Sequence, residues 1–453
     1  IRDRCIDKKY LYKEEDRLYL FNDYCDERYI AEFINTFHGD LMGDEDLISE
    51  CISENENRLS ISYHEKQKEA IKRFFTNDLS IIVGGPGTGK TTIVKAMCDI
   101  FRDTYPFGNI IVAAPTGRAA KRINEICEVE SKTIHSLLKW NKENNTFIFN
   151  IDNPLVYDAL IIDEFSMVDN QLFAALLKAC GRVKKICIIG DNNQLPSIRP
   201  GNVLNDLIDS GKIAVTCLEF NYRQSEGNDI ISLANDVKNN DVDFNRYIKD
   251  IRFYDIRENN FDLVDLIKED IENGYSLNEI QVLSPMYKGE WGIDNLNIRL
   301  QDAFNPPSYL KKEKKTSKYV FREGDKILQL KNRPSDDVYN GDIGILEDID
   351  DKEKSLMVNY FQAYVFYPYE DLSDISLAYA LSVHKSQGSE YPIVYFVFDR
   401  NNIHMLNRNL IYTAISRAKQ KLVLIGNENL FQSGIVKQMK RRQTNLRRLL
   451  ENE

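Results

Sequence analysis

The segment Gly84–Thr91, which reads GGPGTGKT, most constrains the fold of this 453-residue chain. It follows the apolar run Leu79–Val83 and leads into a segment of helix-forming residues. Glycines let the backbone wrap around a polyphosphate, so that successive N–H groups and a helix start point at negative oxygens. Lys90 would then reach the terminal phosphates, and the Thr91 hydroxyl would ligate Mg²⁺. The order strand, loop and helix favours a phosphate-binding loop over a glycine-rich turn that matches by chance.

A second apolar run, Leu160–Ile162, ends in the two carboxylates Asp163 and Glu164. An acidic pair after a buried strand is about as often a helix cap as part of a site. Downstream of a phosphate-binding loop, however, Asp163 is placed to hold the Mg²⁺ shell, and Glu164 to orient or deprotonate a water. Together the two segments predict hydrolysis of a nucleoside triphosphate.

The composition is that of an ordinary folded protein, with 43% hydrophobic and 28% charged residues. A net charge of −11 argues against a surface that coats nucleic acid over its whole area, but it allows a local basic groove. The basic run near the C-terminus predicts only a solvated face. The eight cysteines include no Cys-x-x-Cys pair and the five histidines are scattered, so neither a zinc cluster nor a redox motif is indicated.

The ends and the apolar runs of the chain bear on where the protein works. No apolar run is long enough to span a bilayer and no signal peptide is evident, so we expect a cytoplasmic protein. The chain begins with Ile1 rather than Met, and its first residues already have the pattern of folded protein. We therefore expect that an N-terminal portion has been removed.

Alternating apolar strands and helical segments predict an α/β fold with two doubly wound, parallel-sheet cores. Ser62 and Glu65 resemble a capping box that opens an amphipathic helix through Phe75. The predicted strands lie at 81–83, 110–114, 159–162 and 186–189 in the first core, at 280–284, 378–382, 393–397 and 422–425 in the second, and at 326–330, 344–348 and 356–361 in a small β-barrel inserted in the second. The predicted units are a remnant or linker at 1–60, the first core at 61–215 with a short β-hairpin insertion at 139–154, the second core at 216–309 and 376–453, and the barrel at 310–375.

Further short motifs follow the phosphate loop in a fixed order. They are AAPTGRAA at 113–120, TIHSL at 133–137, GDNNQLPS at 190–197, Tyr222-Arg223, SVHKSQGSE at 382–390 and YTAISRA at 412–418. With the two nucleotide segments, this series resembles the superfamily 1 helicases, and among them the RecD-like group, over about residues 60–430. That group includes the alpha subunit of exodeoxyribonuclease V and stand-alone helicases. The resemblance implies two RecA-like cores with an SH3-like barrel, and ATP-dependent unwinding of DNA with 5′ to 3′ translocation.

The resemblance also implies a nucleotide site that uses ATP and Mg²⁺. Gln67 resembles the glutamine that reads the adenine edge, and Gln194 the sensor of the γ-phosphate. Arg223 and Arg417 resemble the two arginines that the second core presents to the transferred phosphoryl group. Tyr222 resembles the tyrosine that stacks on the base, although a packing tyrosine fits nearly as well. The candidate residues are Lys90, Asp163, Glu164, Gln194, Arg223 and Arg417 for catalysis, Gln67, Gly85, Pro86, Gly87, Thr88, Gly89, Lys90, Thr91, Thr92, Tyr222, Gly388 and Glu390 for nucleotide binding, and Thr91 and Asp163 for Mg²⁺.

The candidate nucleic-acid contacts come from the same motifs. Hydroxyls, backbone amides and short cationic side chains suit contacts to phosphate that read no sequence. The resemblance implies Pro115, Thr116, Arg118, Thr133 and His135 in the first core, and His384, Lys385 and Ser386 in the second. Either histidine would also fit a structural role. The hairpin at 139–154 lies where RecD-like proteins place a strand-separating pin, but it is short, and the barrel's lysine cluster at 311–318 fits a phosphate contact and a solvated loop equally well.

The predicted partners are single-stranded DNA and duplex junctions, for a motor that acts as a monomer, with nuclease or helicase subunits as further partners if it works in a complex. Two other functions stay open. One is an RNA helicase, because contacts to phosphate ignore the sugar. The other is a nucleotide-switched nucleic-acid-binding subunit without unwinding activity, against which the complete set Asp163, Glu164, Arg223 and Arg417 argues.

Overall fold

The computed structural model describes residues 2–14, 16–41, 43–141, 146–219, 227–258, 261–361 and 363–452. Contacts divide the chain into two units. The first comprises Ile1–Pro115, Ala119–Tyr222 and Lys440–Glu453, and the second Thr116–Arg118 and Arg223–Met439. Among the described residues, no helix is long and apolar enough to cross a membrane.

The first unit is built on a six-stranded parallel sheet. The strands of this unit are β1 (Leu11–Glu14), β2 (Arg17–Leu20), β3 (Leu79–Gly84), β4 (Ile110–Ala114), β5 (Ser131–Thr133), β6 (Trp140–Asn141), β7 (Thr146–Phe147), β8 (Ala159–Ile162), β9 (Lys185–Gly190) and β10 (Ala214–Leu218). The sheet runs β10-β3-β9-β8-β4-β5, whereas β1 with β2 and β6 with β7 form separate antiparallel pairs. The four strands predicted for this core are present, and β5 and β10 extend its two edges.

Helices cover both faces of this sheet. They are α1 (Arg2–Asp7), α2 (Phe21–Thr36), α3 (Glu45–Leu59), α4 (Glu65–Thr76), α5 (Lys90–Thr104), α6 (Gly117–Cys127), α7 (Ile134–Leu137), α8 (Asn170–Ala179) and α9 (Val203–Ser210). Successive strand residues point to opposite faces. Ile81 and Val83 therefore join a buried cluster with residues of α2, α8 and α9, while Ile82 joins a cluster with residues of α3 to α6. Burial on both faces explains why these strands are continuous apolar runs.

Helix α4 is present, but it starts two residues later than the predicted capping box implies. The capping box is His64 with Gln67, not Ser62 with Glu65. His64 Nδ1 accepts the N–H of Lys66 at 3.3 Å, and Gln67 Oε1 accepts the N–H of His64 at 3.0 Å. Both pairs have the three-residue spacing of a capping box, and in the structure His64 is the residue directly before the helix.

The second unit combines a parallel sheet with an antiparallel barrel. Its strands are β11 (Ile251–Asp255), β12 (Ile280–Ser284), β13 (Glu313–Lys315), β14 (Val320–Arg322), β15 (Lys326–Gln329), β16 (Ile343–Asp350), β17 (Ser355–Asn359), β18 (Tyr364–Pro368), β19 (Ile375–Leu377), β20 (Ala380–Ser382), β21 (Tyr391–Val397) and β22 (Ala418–Gly426). The parallel sheet runs β11-β22-β21-β12-β20, the antiparallel one runs β18-β17-β16-β15-β19, and β13 pairs with β14. The helices are α10 (Asp229–Asn239), α11 (Leu263–Glu272), α12 (Ile293–Phe304), α13 (Arg408–Ile415) and α14 (Glu428–Val436).

Buried polar side chains fasten the barrel to the second core. Asp325 is fully buried and accepts hydrogen bonds from Gln301 Nε2 at 2.6 Å and Asn305 Nδ2 at 2.8 Å, on and just beyond α12. The next residue, Lys326, donates to the carbonyl of Ile280 at 3.0 Å, and burial lowers its pKa to about 7. A buried polar group without partners is costly, so these contacts fix the barrel in one position.

Two of the five lysines at 311–318 form ion pairs with acids. Lys312 Nζ lies 2.7 Å from Asp348 and 3.7 Å from Glu323, and Lys318 Nζ lies 2.9 Å from Asp294. These carboxylates offset charge that a phosphate contact would use. For Lys312 and Lys318 the arrangement favours the solvated-loop interpretation, and for the rest of 311–318 both interpretations stay open.

The predicted units differ from the structure in three places. The boundary at 215 cuts through β10, which pairs in parallel with β3. The segment 1–60 is more than a linker, because Ile30 of α2 and Ile48 of α3 are fully buried in the two clusters of the first unit. Residues 440–453 join the first unit instead of the second. Their helix α15 (Leu446–Asn452) buries leucines against α2 and α9.

A buried carboxylate, Glu27, joins α2 to the C-terminal segment. Glu27 is 4% exposed, and its two oxygens accept the N–H of Asn445 at 2.9 Å and Asn170 Nδ2 at 3.0 Å. Burial raises the pKa of Glu27 to about 7, the charges of Asp206 and Asp23 add to this shift, and the two hydrogen bonds oppose it. The folded chain therefore holds a proton that the unfolded chain releases near pH 4.5.

We expect Glu27→Gln to stabilise the protein more as the pH rises. The favourable contribution of protonated Glu27 is present below about pH 4.5 and is lost as the pH rises through about 7, at up to about 1.4 kcal/mol per pH unit. Glutamine does not ionise, but its amide nitrogen cannot accept one of the two N–H donors that bind Glu27. This loss is the same at every pH, so the change of stability with pH is the quantity to compare. Denaturant unfolding between pH 5 and 9 should show the variant gaining on the natural chain, while Glu32→Gln, at an exposed position of α2, should not. Parallel pH profiles for the natural chain and Glu27→Gln would refute this assignment.

Candidate nucleotide site and nucleic-acid contacts

The phosphate loop joins the end of β3 to the start of α5. Gly87 and Gly89 have φ values of 76° and 81°, in the left-handed region that favours glycine. Thr88 Oγ1 donates to the carbonyl of Gly85 at 2.9 Å, which closes the loop on itself. Lys90 Nζ donates to the carbonyls of Gly84 at 2.7 Å and Gly85 at 2.9 Å. These contacts tie the lysine to the loop at the first turn of α5, where Thr91 and Thr92 also lie.

Gln67 connects helix α4 to this loop. It is 3% exposed, and its Nε2 donates to the carbonyl of Thr88 at 3.1 Å while its Oε1 serves the capping box. The structure therefore places Gln67 beside the phosphate loop, as a nucleotide-binding residue requires. Both ends of its amide contact protein here, and its contact with adenine stays a prediction.

Asp163 and Glu164 follow β8, at the same edge of the sheet as the phosphate loop, because β3 and β8 both pair in parallel with β9. Asp163 is 8% exposed, and its Oδ1 accepts the N–H of Glu164 at 2.8 Å. Glu164 has a φ of 51°, a strained value for a non-glycine residue that turns the chain sharply after the strand. Burial, and next the charge of Glu164, raises the pKa of Asp163 to about 6, and the charge of Lys90 acts in the opposite direction.

The oxygens of Thr91 and Asp163 suit Mg²⁺. A hydroxyl and a carboxylate are the hard ligands this ion prefers, and it keeps its remaining positions for water and phosphate. A bound cation would also favour the ionised form of Asp163, whose burial otherwise favours the neutral one. The donor set therefore fits the predicted ion.

Gln194 lies on the loop that follows β9, the strand between β3 and β8. It is 5% exposed, its N–H donates to the carbonyl of Asp191 at 3.2 Å, and its Nε2 lies 3.4 Å from Asp191 Oδ2. Asp191 is 1% exposed and also accepts the N–H of Asn193 at 3.0 Å. The candidate residues did not include Asp191, although an acid directly after the apolar run 186–190 was a signal for it. Asp191 orients the loop that carries Gln194.

Two first-core candidates for nucleic-acid contact have structural contacts. Thr133 is 5% exposed and caps α7, since its Oγ1 accepts the N–H of Ser136 at 3.0 Å. The His135 ring lies 5.9 Å from that of Phe147, and burial lowers the pKa of His135, so the neutral form is favoured. Pro115, at the end of β4, is half-buried.

The predicted hairpin is present and shorter than expected. Strands β6 and β7 have two residues each, and the Trp140 and Phe147 rings meet edge to face at 4.7 Å. Beyond β7, the N–H groups of Ile148 and Phe149 donate to the carbonyls of Lys139 and Leu138, so pairing continues irregularly. Residues 142–145, which join the two strands, lie outside the described residues.

Residues 116–118 are counted with the second unit, where Arg118 donates to Ser389 Oγ at 2.8 Å and to the Tyr391 hydroxyl at 2.9 Å. Thr116 is half-buried. Three further candidates, His384, Lys385 and Ser386, lie on a short 3₁₀ turn after β20. Ser386 Oγ donates to the carbonyl of Val383 at 2.8 Å, and burial lowers the pKa of Lys385.

Arg417 lies between α13 and β22 and is 3% exposed. Its guanidinium donates to the carbonyl of Thr413 at 3.1 Å, the carbonyl of Ser389 at 3.0 Å and Ser416 Oγ at 2.9 Å. Gly388 has a φ of 72°, and Glu390 forms an ion pair with Lys419 at 3.3 Å. Arg417 thus lies next to Gly388 and Glu390 in the second unit, because it binds the carbonyl of Ser389 between them.

Tyr222 and Arg223 lie outside the described residues, so their predicted roles stay predictions. Of the candidate residues, the structure brings Gln67, the phosphate loop, Asp163, Glu164 and Gln194 together in the first unit.

Family models match three parts of the chain. An AAA domain matches residues 67–200, the SH3 domain of ATP-dependent RecD-like DNA helicases matches 296–360, and a UvrD-like helicase C-terminal domain matches 377–425. The first covers the phosphate loop, the Asp163–Glu164 pair and Gln194. The second confirms the predicted barrel as SH3-like, with a start earlier than the predicted 310.

Whole-chain comparisons agree with these matches. The ATP-dependent RecD2 DNA helicase of Deinococcus radiodurans is 31% identical over 387 residues, which is 84% of this chain and 52% of that protein. The RecBCD enzyme subunit RecD of Buchnera aphidicola subsp. Schizaphis graminum is 26% identical over 505 residues, 93% of this chain and 82% of that protein. The chain thus spans about half the length of the RecD2 helicase.

A solved structure shares the fold. Pif1 helicase from Bacteroides, in complex with ADP-AlF3 and ssDNA, has a TM-score of 0.52 and 19% identity, covering 80% of this chain and 92% of that one. This likeness confirms the predicted fold class of two RecA-like parallel-sheet cores. By its domains and its relatives, the chain belongs to the RecD-like group of superfamily 1 helicases.

Proposed function

We propose that this chain is an ATP-dependent DNA helicase that translocates 5′ to 3′ on single-stranded DNA. The observation that carries the proposal is the convergence of the phosphate loop, the Asp163–Glu164 pair and Gln194 at one edge of the first sheet. The names of the relatives supply the reaction that this site would drive, since RecD2 is a DNA helicase.

Each group at this edge has a chemical task. Lys90 and the N–H groups at the start of α5 would neutralise the polyphosphate. Thr91 and Asp163 would hold Mg²⁺, which when bound neutralises charge on the phosphates. Glu164 would orient the attacking water, and Gln194 would contact the γ-phosphate. Arg417 and Arg223 keep their predicted role toward the transferred phosphoryl group.

DNA is the nucleic acid that the comparisons favour. RecD2 is named a DNA helicase, and the Pif1 structure contains single-stranded DNA. The proposed contacts are the motif residues Pro115, Thr116, Arg118, Thr133, His135, His384, Lys385 and Ser386. A cytoplasmic, monomeric motor and partner subunits in a nuclease complex stay predictions.

We expect single-stranded DNA to stimulate ATP hydrolysis more than RNA of the same sequence and length. Steady-state ATPase assays with matched oligonucleotides, in the same Mg²⁺ and salt, make the comparison, because phosphate contacts depend on ionic strength. Equal or greater stimulation by RNA would favour the RNA helicase. Hydrolysis without strand displacement would favour the nucleotide-switched binding subunit.

A further inference from the structure

The C-terminal segment 440–453 is part of the first unit although the preceding residues belong to the second. Its helix α15 buries Leu446 and Leu450 completely, in the cluster that also holds residues of α2 and α9. Asn445, just before the helix, is fully buried and bound to Glu27. This segment is therefore a fixed part of the first unit and also a covalent connection to the second.

Arg442 forms hydrogen bonds with the loop at 197–201, which follows Gln194. One terminal nitrogen of its guanidinium donates to the carbonyls of Arg199 at 2.6 Å and Gly201 at 2.9 Å, and the other to the carbonyl of Ser197 at 2.6 Å. A planar guanidinium can hold several carbonyls in fixed directions, which a lysine ammonium does less well. The loop at 197–201 is thus held by its backbone, at three of its five residues.

Asn170 also contacts this loop. The N–H of Asn170 donates to the carbonyl of Pro200 at 3.3 Å. Gly201 has a φ of 128°, and a β-carbon there would lie 2.5 Å from Asn170 Oδ1. Asn170 also bonds to Glu27, and Glu27 to Asn445. The loop is therefore confined between α8 and the C-terminal segment, and both supports meet at Glu27.

Only Leu195 and Pro196 separate Gln194 from the loop at 197–201, and Leu195 is itself 1% exposed. Arg442 binds Ser197 and Asp191 binds Gln194. The two residues between them leave little freedom for one end to move without the other. A displacement of the loop would therefore move the Gln194 side chain at the edge of the sheet. Displacements of about 1 Å in a site can cost about 100-fold in rate.

We propose that Arg442 is a positioning residue for Gln194, and that the C-terminal segment is thereby a working part of the nucleotide site. This inference rests on the proposed function. Arg442 would act through the backbone of 197–201 and would not touch the nucleotide. The competing explanation is that Arg442 only stabilises the fold. It predicts that replacing Arg442 lowers stability without changing the turnover of the folded protein.

The test compares Arg442→Ala with Arg441→Ala. Arg441 is its neighbour, carries the same charge and forms ion pairs with Asp206 and Asp209 at 3.1 and 2.7 Å, but not with the loop. We expect Arg442→Ala to lower the DNA-stimulated kcat between about 10-fold and 100-fold, with affinity for a fluorescent ATP analogue nearly unchanged. Arg441→Ala should keep kcat. Turnover by Arg442→Ala that matches Arg441→Ala, per folded molecule, would overturn the proposal.

A double-mutant cycle decides whether Arg442 acts through Gln194. If it does, Arg442→Ala should cost little more in a Gln194→Ala background, because coupled residues are not additive. Full additivity would overturn the proposal. Should Arg442→Ala be too unstable to purify, Arg442→Lys replaces it in the same double-mutant cycle, because lysine keeps the charge but not the planar set of N–H donors. If the natural chain hydrolyses no ATP with DNA, the proposed function fails, whereas normal hydrolysis with an additive cycle refutes only the role of Arg442.

Discussion

Replacing Lys90 by alanine should lower ATP hydrolysis at least about 100-fold and leave the chain folded. Lys90 is the cation of the phosphate loop, and its Nζ donates hydrogen bonds to the carbonyls of Gly84 and Gly85. These two half-buried hydrogen bonds contribute little to stability compared with the buried clusters on both faces of the sheet. Lys90 is, by contrast, the one cationic side chain of the segment Gly84–Thr91. No other residue of this loop would replace its positive charge next to the transferred phosphoryl group.

A matched control exists on the same helix. Lys95→Ala removes the same charge from α5, beyond the first turn of the helix. Steady-state hydrolysis with saturating single-stranded DNA, together with thermal unfolding, should show loss of turnover only for Lys90→Ala, with similar unfolding temperatures for both variants. Normal turnover by Lys90→Ala would mean that the phosphate loop is wrongly assigned.

The sequence alone predicted the strands of the first core and the loops that follow them at one edge of its sheet. Strands β3, β8 and β9 are continuous apolar runs because helices cover both faces of their sheet, and such runs are visible in sequence. Their carboxyl ends fall at one edge by the rules of parallel sheets, so the phosphate loop and Asp163 had to lie close. The motif order then supplied residues such as Gln194 that no periodicity could indicate.

Short or polar elements could not be predicted in this way. Strand β5 has only three residues, Ser131–Thr133, and its pairing with β4 depends on the rest of the sheet. The C-terminal segment reads as a solvated basic run, yet Arg442 and Asn445 are engaged by the first unit and Leu446 is fully buried. Contacts between distant parts of the chain leave no local pattern, so this packing required the structure.

Motif residues also have structural tasks that a resemblance does not reveal. Gln67 completes a helix cap, Thr133 caps α7, and Arg417 binds three oxygens of its own unit. Buried polar groups need partners in every state of the protein, so these contacts and the predicted roles in nucleotide or DNA binding are compatible. Variants at these positions will therefore change stability as well as function.

The second large effect is expected in the direction of unwinding. The resemblance to RecD-like helicases implies movement from 5′ to 3′ along the strand that the motor grips. A duplex whose single-stranded tail ends in a free 5′ end should therefore be opened, and a duplex with only a 3′ tail should not. The tails should be equal in length and sequence, so that phosphate contacts alone cannot produce a difference.

Strand displacement on these two substrates, with ATP and Mg²⁺, measures both unwinding and its direction, and Lys90→Ala serves as the inactive control. We expect ATP-dependent opening from the 5′ tail alone. Efficient opening from the 3′ tail, or no opening of either substrate by a chain that hydrolyses ATP, would contradict it.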